Sequence, residues 1–394
     1  MKLIEAMTDG KVLTIYLIGH VDSNNATDVE AEIREACKAN EHENLLIDAD
    51  RLEYISSAGL RIILRLRREY PDMQIINVNK DVYEVFEMTG FTEMVDIQKA
   101  FRRISVEGCE VIGQGANGKV YRIDEDTIVK IYYDQNALPD IKRERELARK
   151  AFVLGIPTAI PYDVVRVGDG YGSVYELLNA SSFISLMIQD PSRLEELVGM
   201  SVDLLKKIHG TIVKPEDMPD MKAVAADWGE FLKDYLPEDQ YQKLHDLIAA
   251  VPDDNHMMHG DFHLKNVMLQ DDEALLIDMD TICHGHPVFE FGSIFNAYQG
   301  YCELDHQNCL EFLGIDYETC ARIYRQTMKD YFDDKSDEEI EAISRKAQII
   351  GYTRIMRRCI RRNGFDTEEG RAMIENCRKH LGELLQTTDT LLWD

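Results

Sequence analysis

The chain has 394 residues, 45% of them hydrophobic and 29% charged, and carries a formal net charge of −28 at pH 7. That length and balance exclude a disordered chain and suit two or three cores of about 100 to 200 residues each. The acidic excess argues against broad binding to nucleic acid or anionic membranes, so any phosphate chemistry must rest on local cations and bound metal. The N-terminal stretch MKLIEAMTDGKVLTIYLIGH lacks an apolar segment followed by a small-residue cleavage site, and no run of about 18 apolar residues follows. Cys37, Cys109, Cys283, Cys302, Cys309, Cys320, Cys359 and Cys377 form no CxxC pair. A cytoplasmic protein with reduced thiols is expected.

In chain order, residues 11–18 (KVLTIYLI) and 44–49 (NLLIDA) are β-rich, and Ala26, Val29, Ile33 and Ala36 recur at helical spacing within 26–38. A helix from Ser57 to Glu69, a strand from Gln74 to Val78 and a helix from Val82 to Met88 follow. Ser56 and Ser57 stand at the start of an amphipathic helix, where a cap is required. Strands and helices thus alternate through an α/β domain over 1–104.

Beyond it, VEGCEVIGQGANGKVYRI reads as strand, glycine-rich turn and strand, and EDTIVKIYY as a third strand. A charged helix over about Pro139 to Leu154 precedes two more strands, YDVVRV and GSVYELL. The remainder is mostly helical. The expectation is an α+β, two-lobed domain, with a β-rich lobe over 105–178 and a helical lobe over 179–394.

Gly113, Gly115 and Gly118 form a GxGxxG between two strands. A dinucleotide-binding loop would run from strand into helix, so the hairpin context points to a loop closing over ATP phosphates. Lys130 lies on the next strand, where an ammonium reaches the α- and β-phosphates, and Glu144 on the following helix, with Glu146 as its neighbour, is placed to pair with it. In MMHGDFHLKNVMLQDDEALLIDMD, Asp261 can accept a proton from a substrate hydroxyl. Asn266 and Asp278 supply hard oxygen ligands for Mg²⁺, and Asp280 a second carboxylate. His259 and His263 belong to the same loop, with support and orientation of Asp261 as their expected role. A transition-metal site at Cys283, His284 and His286 is disfavoured, because partner ligands at a second spacing are missing.

The HGDxHxxN and DxD stretches resemble those of the aminoglycoside phosphotransferase and choline kinase family, a branch of the protein-kinase-like fold. The resemblance covers about residues 106–394. It implies a histidine at the end of a helix, matched by His209, and a hinge at Tyr175, Glu176 and Leu177 whose backbone would hold adenine. Glu290 stands where the family has an aspartate. Only about a dozen residues separate Asp278 from the next helix, whereas a protein kinase uses a longer segment to hold a peptide. A small-molecule hydroxyl acceptor is therefore favoured. Arg354, Arg357, Arg358, Arg361 and Arg362 recur at helical spacing and are expected to form a solvated face pairing with nearby acids, an anionic substrate or acidic partner being the alternative.

GHVDSNNA and YISSAGL resemble a STAS domain, the fold of anti-sigma factor antagonists, over residues 1 to about 100. That resemblance implies a protein partner and a phosphorylated serine at the helix start, matched by Ser57, although Ser56 replaces the family's preceding aspartate. Taken together, the chain reads as an ATP- and Mg²⁺-dependent phosphotransferase acting on a small-molecule hydroxyl, with a regulatory STAS domain. A signalling kinase acting on a STAS serine and a non-catalytic nucleotide-binding interaction protein are the rival readings.

Overall fold

Alternation of β-branched runs with amphipathic helices builds a mixed sheet in the first hundred residues. In the computed structural model, which describes residues 3–115 and 118–393, β1 (Ile4–Asp9), β2 (Val12–Val21), β3 (Asn44–Ile55), β4 (Gln74–Val78) and β5 (Asp96–Lys99) lie side by side in that order. The β1–β2 pair is antiparallel and the others are parallel. Helices α1 (Ala26–Ala39), α2 (Ser57–Glu69) and α3 (Lys80–Met88) connect the strands. Leu13, Ile15 and Leu17 of β2 alternate into the core with Ile47, Ile63, Leu66 and Ile75. Strand β3 runs past the expected NLLIDA because its pairing with β2 slips after Tyr16 and again after Gly19. Those irregularities break the period-two pattern and hide the continuation from sequence. A short strand β6 (Arg102–Ile104) ends this unit, Met1–Ile104.

The second unit, Ser105–Asp394, begins with β7 (Glu110–Gln114), β8 (Gly118–Arg122) and β9 (Thr127–Tyr132), then α4 (Leu138–Val153), β10 (Pro161–Val167) and β11 (Gly170–Glu176). The strands neighbour one another as β7–β8–β9–β11–β10, each pair antiparallel. Ile141, Glu144, Leu147, Ala148 and Ala151 form the buried stripe of α4, so its one buried carboxylate travels with the apolar face.

A largely helical body follows. After β12 (Ser181–Ser182) come α5 (Phe183–Gln189), α6 (Leu194–His209), α7 (Met221–Phe231) and α8 (Glu238–Ala249). The short strands β13 (Met257–Met258), β14 (Val267–Gln270), β15 (Glu273–Leu276) and β16 (Cys283–His284) flank the HGD and DxD segments. Asp271 and Asp272, both at positive φ, make the tight turn of the β14–β15 hairpin. Helix α9 (Val288–Phe295), a π-helical turn (Asn296–Gly300), α10 (Gln307–Leu313), α11 (Tyr317–Tyr331), α12 (Asp337–Arg361) and α13 (Glu368–Thr387) complete the unit.

Helices α9 and α12 cross at two glycines. A Cβ on Gly351 would meet Phe295 Cδ1 at 2.6 Å and Asn296 Oδ1 at 2.7 Å, and one on Gly292 would meet Ile350 at 2.9 Å. This close approach carries the arginines of α12 to the HGD segment. Gly351→Ala is expected to cost about 1–3 kcal/mol by overpacking. Gly199→Ala on α6, where no atom lies within 4 Å, should instead gain about 0.5–1 kcal/mol from helix propensity. Urea denaturation of both variants checks the opposite signs.

Candidate phosphotransfer site

Strand β9 alternates Val129 into the core and Lys130 to the other face. Lys130 Nζ donates to Glu144 Oε1 at 2.9 Å and to Asp278 Oδ1 at 2.8 Å. The hydroxyls of Tyr132 and Tyr175 also donate to the Glu144 carboxylate, which is 5% exposed. Burial alone would lower the lysine pKa, but the two carboxylates outweigh it and hold the ammonium charged far above its ordinary value. The sequence pairing of Lys130 with Glu144 rather than Glu146 is the one the structure contains. Asp278 occupies a left-handed conformation, φ 62°, that a non-glycine residue holds only when its surroundings fix it. Asp280 follows in a short 3₁₀ turn, its carboxyl pushed up to about 7 by burial and by the charge of Asp278.

The HGD loop is held by its backbone. Glu290, from the first turn of α9 and 1% exposed, accepts from the amide of His259 at 2.6 Å and of Gly260 at 3.0 Å. The carbonyl of His259 accepts from Thr281 Oγ1 at 2.8 Å. That of Gly260 accepts from Ser293 Oγ at 2.8 Å and Arg354 Nη1 at 2.9 Å. Gly260 has φ +79°, and a Cβ there would lie 2.4 Å from the Thr281 carbonyl oxygen. Tyr298, from the π-helical turn, accepts from Leu264 N at 2.9 Å. Asn266 donates its side-chain amide to the Asp261 carbonyl at 3.1 Å, which leaves its side-chain oxygen for a cation.

Asp261 is therefore fixed at its backbone while its side chain stays 41% exposed. His263 Nε2 and Arg354 Nη2 each lie 3.7 Å from its carboxylate. Burial opposes the charge, but His263 and Arg354 overcome it and hold the carboxyl well below the usual range. Glu290 is likewise depressed, because His209, 3.8 Å away, and the loop amides outweigh its burial.

Residues 108–326, more than half of the chain, match the phosphotransferase enzyme family, and residues 4–104 match the STAS domain. The chain belongs to the phosphotransferase enzyme family. Its STAS domain has a curated relative, the "Putative anti-sigma factor antagonist BtrV" of Bordetella bronchiseptica, 37% identical over 101 residues that make up 25% of this chain and 85% of that protein. A thermostable mutant of aminoglycoside phosphotransferase APH(4)-Ia, solved in ternary complex with AMP-PNP and hygromycin B, matches with TM-score 0.50 and 12% identity over 71% of this chain and 94% of that one. A choline/ethanolamine kinase family protein from Mesorhizobium loti matches with TM-score 0.47 and 16% identity, over 71% and 89% of the two chains. At 12% identity the APH(4)-Ia structure speaks to the fold alone.

In this phosphotransferase domain Gly113 lies in β7, Gly118 opens β8, and Gly115 N donates to Gly118 O at 3.0 Å between them. The loop tip, Ala116 and Asn117, lies outside the described residues. A Cβ on Gly115 would meet nothing within 4 Å, so packing does not account for that glycine. At the hinge, Glu176 N donates to Ile160 O and Leu177 N to Asp126 O. Continued pairing of β11 with β10 and with β9 consumes these amides in turn, leaving carbonyl oxygens as the backbone groups that could face a base. His209 is buried, its Nδ1 2.8 Å from the Tyr331 hydroxyl.

The arginine row departs from the expected solvated face at one position, Arg354, while Arg358, Arg361 and Arg362 are exposed. Arg357 does pair with Asp227 at 3.0 Å, but Arg354 turns inward because the Gly292–Gly351 crossing brings it to the HGD loop. Ser293, Thr281, Tyr298 and Arg354 were not anticipated as loop supports. Ser293 lies three residues after Glu290 on one helix face, a spacing legible in sequence. The others have no sequence signal, since their partners are backbone atoms far away in the chain. Cys283 and His284 form β16, paired with β13, and among the described residues no group of three or more His, Cys, Asp or Glu is arranged to hold a metal ion. No helix of the described residues is long and apolar enough to cross a membrane. In the STAS domain Ser56 Oγ accepts from Ala58 N at 3.2 Å as the cap, and exposed Ser57 is the first residue of α2.

Replacing Glu290 by Gln exchanges a charged acceptor for a neutral one and should cost about 2–3 kcal/mol at pH 7. A carboxyl whose folded pKa is depressed stabilises above its ordinary value, here 4.5, and loses that contribution as pH falls through the folded value. Urea titrations of wild type and Glu290→Gln from pH 7 to pH 3 should therefore converge on the acid side.

Proposed function

We propose that this phosphotransferase domain moves the γ-phosphate of ATP, with Mg²⁺, to a hydroxyl of a small molecule in the cytoplasm, and that the STAS domain regulates it through a protein partner. The observation that carries this reading is Asp261, fixed at its backbone with its carboxylate open to solvent, on the loop that also holds Asn266. Gly113, Gly115 and Gly118 would cover the phosphates, Lys130 would engage the α- and β-phosphates, and Glu144 would orient Lys130. Carbonyl oxygens of Glu176 and Leu177 would face adenine. The AMP-PNP and hygromycin B complex of the structural neighbour agrees with a nucleotide and a small acceptor in this fold.

The residues fit a magnesium ion. Burial and the charge of Asp278 push the Asp280 carboxyl up to about 7, an arrangement a hard divalent cation relieves, and the Asn266 oxygen adds a neutral ligand. Asp278, Asp280 and Asn266 would hold Mg²⁺, which would supply neutralisation of the charge developing on the transferred phosphoryl group. Asp261, held ionised by His263 and Arg354, is a weak base. Its contribution is then mainly to accept a hydrogen bond from the acceptor hydroxyl and aim it, which suits a loose transition state in which proton removal is late.

The exposure of Ser57 at the first turn of α2 favours one second reading, a protein kinase acting on a STAS serine. A phosphate there would sit at a helix N-terminus, where the helix dipole favours negative charge. Transfer of labelled γ-phosphate from ATP to a library of hydroxyl compounds, followed with and without Mg²⁺, separates the readings. Small-molecule product that falls about 10²–10⁴-fold in kcat for Asp261→Asn, with the KM for ATP little changed, is expected. Label confined to Ser57 would support the protein-kinase reading, and ATP binding with no label anywhere would support a non-catalytic interaction protein.

A further inference from the structure

The phosphotransferase site carries a cationic surface that the phosphate-transfer roles leave unused. Arg358 lies one helical turn beyond Arg354 on α12, on the same face. Arg354 is committed to the Gly260 carbonyl and Ser293, and Arg357 to Asp227. Arg358 is exposed, stands 5.7 Å over the ring of Tyr301, and pairs with no carboxylate among the described residues. The one-turn spacing ties this arginine to Arg354, whose Nη2 lies 3.7 Å from the Asp261 carboxylate. The Tyr301 hydroxyl is buried, and the Arg358 guanidinium bears on it as charge and as donor. A guanidinium with no carboxylate partner among the described residues and a buried hydroxyl thus sit together, one helical turn from the arginine that flanks the Asp261 carboxylate, in a chain whose formal charge is −28.

Folding seats Arg358 against Tyr301 and gives it no carboxylate among the described residues. A structural arginine in so acidic a protein would be expected to find one. Together Arg358 and Tyr301 present what a carboxylate or phosphate oxygen requires, a planar fork of cationic donors with a neutral donor next to it. A polycationic acceptor would instead have to bring its charge against Arg354 and Arg358.

We propose that the hydroxyl compound phosphorylated at this site is an anion, and that Arg358 and Tyr301 bind its carboxylate or phosphate group while Asp261 aims its hydroxyl. This rests on the small-molecule reading of the site. Arg358 is then a specificity residue, and the reaction keeps its balance: the acceptor oxygen bonds to the γ-phosphorus as the bond to ADP breaks, and the hydroxyl proton leaves to solvent.

The test uses the full chain, ATP with Mg²⁺, and size-matched hydroxyl compounds in three sets: carboxylates and phosphate monoesters, neutral polyols, and amino or quaternary-ammonium alcohols. Labelled product is expected from the anionic set. Arg358→Gln should raise the KM for that acceptor about 10–100-fold, the range of one or two charged hydrogen bonds, with a much smaller change in kcat. Arg358→Lys should restore part of the loss, and Tyr301→Phe should raise the same KM. The proposal is overturned if neutral or cationic compounds are the better acceptors, or if Arg358→Gln leaves the acceptor KM unchanged. It is equally overturned if that variant raises the KM for ATP instead, since Arg358 would then read the nucleotide's own phosphates. Absence of product from all three sets rejects the small-molecule reading itself, and this proposal with it.

Discussion

The buried carboxylate of Glu290 is the interaction on which the site depends. Two successive amides, of His259 and Gly260, donate to it, so a segment that must leave its carbonyls and side chains free for other work has its donors satisfied from beneath. A buried carboxylate is costly unless it is compensated, and here the amides and the neighbouring His209 supply the compensation. The result is a loop that cannot shift without stranding a charge in the core. Each carbonyl it presents is then taken by a different element: Thr281 from the turn after the DxD segment, Ser293 from α9, and Arg354 from α12. Chemistry that depends on aiming a hydroxyl within a fraction of an ångström needs such a rigid mount.

The second constraint is charge. A chain with so large an acidic excess must gather cations locally to handle phosphate, and Lys130 and Arg354 are placed by carboxylates and by packing respectively. Lys130 is held between Glu144 and Asp278, one anchoring it to α4 and the other tying it to the DxD segment. In this arrangement Lys130 bridges the sheet and the helical body, so strand β9, helix α4 and the DxD segment are coupled through one ammonium. Arg354 is placed by packing, through the glycine crossing of α9 and α12, and its charge depresses Asp261.

Much of this was legible in the sequence because it follows local chain chemistry. The glycine-rich hairpin, Lys130, Asp261, Asn266 and Asp278 occur in an order that phosphoryl transfer demands, and α2 and β4 have the bounds expected from periodicity. The STAS and phosphotransferase resemblances were carried by contiguous motifs and match the families found. What could not be read depends on contacts distant in sequence. The inward turn of Arg354 follows from two glycines in different helices approaching each other. The loss of the hinge amides follows from strand pairing that consumes them, and the long β3 from irregular register. Residues that act through backbone atoms, such as Thr281 and Tyr298, leave no pattern, because any segment offers the same amide or carbonyl.

Calorimetric titration of the full chain with AMP-PNP, in the presence and absence of Mg²⁺, tests the central claim that the Lys130–Glu144–Asp278 cluster is a nucleotide and metal site. The account predicts binding strengthened at least tenfold by Mg²⁺, with that enhancement lost in Asp278→Asn and binding itself weakened in Lys130→Ala. Equal affinity with and without Mg²⁺, unchanged in both variants, would contradict it.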